Sequence, residues 1–198
     1  MRRLPVYLLL DTSASMKGEP IEALRKGIDT MIKALRQNPQ AIESVYISII
    51  TFSNTAQVLV PLTDLGSFQM SELHATGQTA LGAALRLVTD RINSEIKKNT
   101  MEEKGDWKPI VFIMTDGVPI DDWKKGADYF STCKTAYTVA CAAGSHADTS
   151  TLKQITPHVI CLEKADEDSM SRFFLWMSSS IGTTSLKVET NGDTLGIS

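Results

Sequence analysis

Short apolar runs alternate with amphipathic stretches along the chain. The runs are rich in Val, Ile and Leu and show no clean alternation with polar residues, which is typical of strands buried on both faces of a parallel sheet. Six such segments are predicted to be strands: Val6–Leu10, Val45–Phe52, Ala56–Leu62, Ile110–Met114, Tyr137–Ala143 and His158–Leu162. Only three residues separate the second from the third, so these two are predicted to pair antiparallel, and Pro61 suits an edge strand.

Helical patterns lie between these strands. In Pro20–Asn38 the apolar residues fall on one stripe, Pro20 suits the first helical position, and Pro39 closes the segment. A second apolar stripe occupies Ala80–Lys98. Three further helices are predicted, over Trp123–Thr132, Thr149–Ile155 and residues 168–181. Strands that alternate with helices predict an α/β domain built on an open sheet.

The predicted elements fall within residues 1–184, which we interpret as one domain. The final residues, Thr183–Ser198, contain Gly, Thr, Ser and Asn, and residues 185–198 are predicted to be a C-terminal tail, with Leu186–Glu189 as a candidate short strand. A chain of 198 residues can bury a core without disulfides or structural metal.

Composition narrows the class of protein. A net charge of −3 excludes a globally basic nucleic-acid binder. The three cysteines, Cys133, Cys141 and Cys161, form no C-x-x-C pair and are predicted to be reduced thiols rather than metal or redox groups. No apolar run approaches the roughly 18 residues of a membrane helix, and the apolar start is interrupted by Pro5, unlike a secretory signal. We therefore predict a cytoplasmic protein with no nucleic-acid or membrane partner.

Polar clusters follow the predicted first and fourth strands and precede the second long helix. They supply Asp11, Ser13, Ser15, Thr79 and Asp116. In open α/β sheets, ligands bind at the carboxyl ends of strands where the winding direction switches, so these side chains can converge. All are oxygen donors, which hard divalent cations prefer, and Mg²⁺ fits this set best, with Mn²⁺ or Ca²⁺ as alternatives.

The charge balance of this set predicts what the site does. Two carboxylates balance a dication, while the other three donors are neutral hydroxyls. If the carboxylates act partly through water, the ion keeps an open position and attracts an anionic oxygen from outside. That oxygen is predicted to be a partner's carboxylate or a phosphate.

The pattern resembles the metal-ion-dependent adhesion site of von Willebrand factor type A domains. The resemblance rests on Asp11-x-Ser13-x-Ser15, on Thr79 in a Gly-x-Thr-x-Leu-Gly context, and on Asp116 in a Thr-Asp-Gly context. It implies a doubly wound, mostly parallel sheet of six strands with helices on both faces and one antiparallel edge strand. It also implies that the three hydroxyls ligate the ion, that Asp11 and Asp116 act directly or through water, and that a partner supplies a Glu or Asp.

Four residues are predicted to form the rim that meets the partner: Gly77, Gln78, Gly117 and Asp121. Three of them, the two glycines and Asp121, have a simpler interpretation that stays open. The glycines are also expected at turns or close contacts, and Asp121 is equally expected in a solvated loop or at a helix N-terminus.

Further segments are similar to bacterial tellurium-resistance TerY-like proteins, namely 105–109, Thr115–Trp123, 139–144 and 176–180. Such proteins are cytoplasmic, and some belong to a trio with a protein kinase and a PP2C-type phosphatase. The resemblance therefore implies a role in tellurite resistance or the stress response, with that kinase and phosphatase as partners.

Together these observations predict a non-enzymatic, divalent-metal-dependent protein-interaction module that docks an acidic side chain of a partner. The alternative is a metal-dependent phosphohydrolase, because a first-strand Asp with Mg²⁺ also occurs in haloacid-dehalogenase-type phosphatases. Those enzymes need a second acid two residues later, where this chain has Ser13. A third possibility, a substrate of the kinase or phosphatase, overlaps with the first.

Overall fold

The computed structural model describes residues 2–190, with side chains described for residues 2–186. Six strands form one sheet: β1 (Leu4–Asp11), β2 (Val45–Phe52), β3 (Ala56–Asp64), β4 (Ile110–Thr115), β5 (Tyr137–Ala143) and β6 (Val159–Leu162). Six α-helices accompany it: α1 (Glu19–Leu35), α2 (Pro39–Ser44), α3 (Leu81–Glu95), α4 (Trp123–Phe130), α5 (Thr149–Ile155) and α6 (Glu167–Thr190).

The strand order is β3-β2-β1-β4-β5-β6, and only the β2–β3 pair is antiparallel. The chain winds outward from β1 to one edge and then returns to add β4, β5 and β6 on the other side. The predicted fold class, a doubly wound and mostly parallel six-stranded sheet with one antiparallel edge strand, is confirmed.

Strand β1 lies at the centre of the sheet and all eight of its residues are buried. Its side chains alternate between two apolar layers because successive residues of a strand point to opposite faces. Val6, Leu8 and Leu10 pack with α1 and α6 on one face. Tyr7 and Leu9 pack with α3 on the other face. This explains the unbroken apolar run in the sequence.

The structure contains two short helical elements that the sequence patterns did not predict. Pro39 opens a separate short helix, α2, because the Asn38 side chain accepts the amides of Gln40 and Ala41 at 3.0 and 3.3 Å. Proline suits that first position, where its missing N–H costs nothing. A single 3₁₀ turn, Ala14–Met16, was also not predicted.

The candidate strand at Leu186–Glu189 is wrong, because α6 continues as a helix to Thr190. The hydroxyls of Thr183 and Thr184 donate to carbonyls four residues earlier in the helix, both at 2.8 Å, so this composition does not interrupt it. Ile181 and Ser185 are also fully buried. Residues 191–198 of the predicted tail lie outside the described residues, and the boundary after residue 184 stays a prediction.

Within residues 2–190, no helix is both long enough and apolar enough to cross a membrane.

Helices α1 and α6 approach each other closely where Gly27 faces Phe174. A Cβ atom on Gly27 would lie too close to the Phe174 ring to be accommodated without a shift, at 2.3 Å from its nearest atom. The ring is only 1% exposed and stacks edge-on against Phe173 with a centroid distance of 5.5 Å, so it has little room to move. The glycine therefore sets the distance between the two helices.

We expect Gly27→Ala to lower the free energy of unfolding by roughly 1–2 kcal/mol. Overpacking a core costs about 1–3 kcal/mol, which exceeds the gain of up to about 1 kcal/mol from better helix propensity. Chemical denaturation would measure the difference, with Lys33→Ala on the exposed face of the same helix as the control. An unchanged or higher stability of Gly27→Ala would contradict this account of the contact.

Candidate metal centre

The candidate residues meet at the point where the winding of the sheet reverses. Asp11 is the last residue of β1, and Asp116 directly follows β4, the strand beside it. After β1 the chain leads to β2 on one side of β1, and after β3 it returns to β4 on the other side. A crevice therefore opens at the carboxyl ends of β1 and β4.

The loop after β1 folds its hydroxyls toward Asp116. Asp11 is fully buried, and its Oδ1 atom accepts the Ser13 amide at 2.8 Å. The Oγ atoms of Ser13 and Ser15 lie 2.9 Å apart, and the Ser15 hydroxyl donates to Asp116 Oδ1 at 2.8 Å. Four of the five predicted donors are thus joined in one continuous chain of hydrogen bonds.

Thr115 supports this arrangement from β4 and was missed by the sequence analysis. Its hydroxyl donates to Asp11 Oδ2 at 2.6 Å and accepts the Gly117 amide at 3.2 Å. It therefore braces the buried carboxylate and orients the turn that carries Asp116. The only sequence signal was its position beside Asp116 at the end of a strand predicted to neighbour the first.

Thr79 reaches the crevice from the loop that precedes α3. It is 6% exposed, and its Oγ1 atom lies 3.0 Å from the position that a Cβ on Gly117 would occupy. Its hydroxyl therefore sits against the backbone directly after Asp116. No hydrogen bond to the other four donors accompanies this contact, so Thr79 is brought to the site without joining the chain.

Backbone hydrogen bonds hold the Thr79 loop in place. The Thr76 amide donates to the Thr12 carbonyl at 2.8 Å, and the Ala14 amide donates to the Gly77 carbonyl at 2.9 Å. On the far side, the Ile120 amide donates to the Thr79 carbonyl at 3.1 Å. The segments after β1 and β4 and the loop before α3 are thus tied together by their main chains.

Among the predicted rim residues, Gly77 has a positive φ of 75° and is packed against the side chain of Asn54. That side chain, also missed by the sequence analysis, accepts the Gln78 amide at 2.9 Å and leaves the Gln78 side chain exposed. Gly117 is half-buried beside Thr79. The rim role of these residues stays a prediction.

Asp121 has a clear structural task. Its two carboxylate oxygens accept the amides of Gly82 and Ala83 at 3.0 and 2.8 Å, which caps the N-terminus of α3. A helix N-terminus is the alternative to a rim position for Asp121, and the helix that it caps is α3, which begins at Leu81.

The negative charges of Asp11 and Asp116 destabilise the folded protein when no counter-ion lies beside them. Burial raises the pKa of Asp11, opposed by the hydrogen bonds from Thr115 and Ser13, and the charge of Asp116 raises it further. Burial likewise raises the pKa of Asp116, opposed by the hydrogen bond from Ser15. The folded protein thus places negative charge where a dication would relieve the cost.

The donor set fits a hard divalent ion. Each carboxylate oxygen retains a further lone pair beyond its present hydrogen bond, and each hydroxyl can turn to present its oxygen. Across the described part of the chain, no three His, Cys, Asp or Glu side chains cluster to hold a metal. Any ion here would therefore depend on the serine and threonine hydroxyls, which suits Mg²⁺, Mn²⁺ or Ca²⁺ chemistry.

Comparison with solved structures supports the fold. Proximal thread matrix protein 1 from the mussel byssus, with a zinc-occupied MIDAS motif, shares 17% identity at a TM-score of 0.70, covering 89% of this chain and 47% of that one. A von Willebrand factor type A protein from Catenulispora acidiphila shares 15% identity at 0.70, covering 91% and 43%. The pilus adhesin SpaC from Lactobacillus rhamnosus GG shares 14% at 0.72, covering 93% and 30%. The chain spans less than half the length of each.

The sequence itself carries the family assignment. The family model of the von Willebrand factor type A domain matches residues 6–118, more than half of the chain, and this range includes all five candidate donors. With the matching sheet topology, this shows that the chain belongs to the von Willebrand factor type A domain family.

Proposed function

We propose that this domain is a non-enzymatic module that binds a partner protein through a divalent metal ion and an acidic side chain of that partner. One observation carries the proposal: Asp11, Ser13, Ser15 and Asp116 form one hydrogen-bonded chain with the Thr79 hydroxyl beside it. Domains of this family commonly serve metal-dependent protein interaction.

The hydroxyls of Ser13, Ser15 and Thr79, with the carboxylates of Asp11 and Asp116, would hold the ion, and we favour Mg²⁺. When bound, such an ion supplies a Lewis acid that accepts a carboxylate oxygen from outside. Asp11 is fully buried, whereas Ser15 is exposed and Asp116 is half-buried, so the partner would approach from the Ser15 side. The zinc-occupied motif of the mussel protein supports a divalent ion at this place.

A phosphohydrolase is the second candidate, and the geometry disfavours it. A leaving-group acid is needed two residues after Asp11, and Ser13 there is 2% exposed with its hydroxyl engaged by Ser15. An alcohol is too weak an acid for that step. Release of phosphate from a panel of esters, abolished by Asp11→Asn, would favour the enzyme over the binding module.

For the cellular setting, we propose a cytoplasmic tellurite-resistance or stress-response system of the TerY-like kind. A protein kinase and a PP2C-type phosphatase are the proposed partners. The support is the similarity of four sequence segments, among them Thr115–Trp123 next to the metal site. Co-purification of such a kinase or phosphatase with the tagged chain from tellurite-stressed cells would test it.

We expect Thr79→Ala to weaken Mn²⁺ or Mg²⁺ binding at least tenfold, or about 1.4 kcal/mol, because it removes one of five donors. Thr115→Val should weaken binding by about 10–100-fold without removing a ligand, because it releases the orientation of Asp11. Isothermal titration calorimetry would measure both. Thr76→Ala, an exposed threonine of the same loop, is the matched control. Unchanged affinity in both variants would refute the assigned site.

We expect Asp11→Asn to stabilise the metal-free protein at neutral pH. Burial raises the folded-state pKa of Asp11 above the ordinary value of an aspartate, so the folded state holds its proton more tightly than the unfolded chain. The sign follows from proton linkage: stability falls as pH rises from that value through the raised pKa. The side-chain amide of Asn stays neutral at every pH, so the variant does not lose this stability as pH rises.

Thermal unfolding in EDTA should therefore show a higher Tm for Asp11→Asn than for the wild type, by about 2–4 °C for each kcal/mol. The difference should shrink on acidification below the ordinary aspartate pKa. Added Mn²⁺ should raise the Tm of the wild type and leave that of the variant unchanged. A variant that melts lower at neutral pH in EDTA would contradict the assigned cost.

Partner binding should depend on the ion. We expect proteins captured by the tagged chain in Mg²⁺ to elute with EDTA, and to be lost with Asp11→Ala or Thr79→Ala while circular dichroism shows an intact fold. Binding that persists unchanged in EDTA would refute metal-mediated docking.

A further inference from the structure

The two sides of the metal crevice differ in chemistry. Toward the face of the sheet that carries α1 and α6, a cleft of about 590 Å³ runs from Ser15 and Asp116 to the loops after β5 and β6. Besides Asp116, the carboxylates of Glu19, Glu163 and Asp166 line it, and the basic side chains in its lining are those of Lys164 and His146. The cleft is therefore continuous with the proposed docking point and predominantly acidic.

Toward the other face, the loop after Asp116 presents aliphatic side chains to solvent. Val118 and Ile120 are 57% and 58% exposed. The loop is fixed at both ends: the Gly117 carbonyl accepts the Asp148 amide at 3.3 Å, and the Ile120 amide donates to the Thr79 carbonyl at 3.1 Å. Because the Thr79 carbonyl accepts one of these two hydrogen bonds, Val118 and Ile120 are held in a fixed position relative to the metal site.

The acidic side remains acidic when an ion is bound. A dication would balance the charges of Asp11 and Asp116, while those of Glu19, Glu163 and Asp166 would persist beside it. Asp166 also accepts the Ser169 amide near the start of α6 and Glu19 lies in the first turn of α1, so both have structural tasks as well. Glu163 is exposed in the loop between β6 and α6. A second carboxylate of a partner would be repelled here, and a lysine or arginine attracted.

We propose that the partner's docking segment carries one acidic residue flanked on one side by an aliphatic residue and on the other by a lysine or arginine. The acidic residue takes the metal, the aliphatic residue contacts Val118 and Ile120, and the basic residue enters the cleft lined by Glu163. Segments with runs of acidic residues are rejected. This inference rests on the proposed metal-dependent docking and adds its selectivity.

Fluorescence anisotropy of labelled peptides with the full chain in Mn²⁺ tests the inference. The peptides each carry a central Glu: two have Leu and Arg flanks in either order, one has Ala flanks, and one is a run of Glu. We expect one of the two Leu/Arg peptides to bind at least about fivefold more tightly than the Ala peptide, and the Glu run to bind more weakly than the Ala peptide.

Two variants separate the two flanks. Glu163→Gln should reduce the advantage of the Arg residue, and the double variant Val118→Ser/Ile120→Ser should remove the advantage of the Leu residue. In both, binding of the Ala-flanked peptide should change less than about twofold. Glu43→Gln and Ile42→Ser are the matched controls, because both side chains are exposed on α2, which precedes β2 at the end of the sheet away from the metal site.

The outcomes distinguish the two levels of the proposal. If the Ala-flanked peptide binds in Mn²⁺ and not in EDTA, but flanks and variants make no difference, the selectivity is overturned and metal-dependent docking stands. If no peptide binds in Mn²⁺, both are overturned. If the Glu run binds most tightly, the acidic cleft does not select, and the inference fails.

Discussion

The carboxylate of Asp11 is fully buried between two neighbouring strands, and most of the site depends on how it is held. Thr115 and the Ser13 amide occupy its two oxygens, at 2.6 and 2.8 Å, and each of these contacts also shapes a loop. The first fixes the turn that carries Asp116, and the second folds back the loop with the serine hydroxyls. A charge that would be destabilising alone thus organises the crevice around it.

The remaining architecture brings distant segments to that charge. The apolar β1 has to lie in the middle of the sheet, because both of its faces need a layer of helices. That placement makes its carboxyl end the point where the winding reverses. Hydrogen bonds between main chains then attach the Thr79 loop to the segments after β1 and β4. Aliphatic and acidic surfaces flank the opening because the loop with Val118 and Ile120 leads to α4 on one face of the sheet, whereas the acidic side chains lie near the starts of α1 and α6 on the other face.

The fold could be predicted, and candidate donors could be named, because both depend on local patterns. Buried strands have continuous apolar runs, and Asp11, Ser13 and Ser15 follow the first strand at a spacing of two residues. Thr115, Asn54 and the capping role of Asp121 were missed or left open because each depends on a neighbour brought close only by folding. The end of α6 was wrongly predicted because serine and threonine suggest a loop, whereas here their hydroxyls bond back to the helix and its inner face stays buried.

The five candidate donors come from three parts of the chain, and Asp11 and Asp116 are 105 residues apart in sequence. An unfolded chain cannot assemble them, so an ion bound by all five would stabilise only the native state, by RT ln(1 + c/Kd), where c is the free ion concentration. Resistance of the folded protein to proteolysis would then rise with the free dication concentration around it, even without a partner.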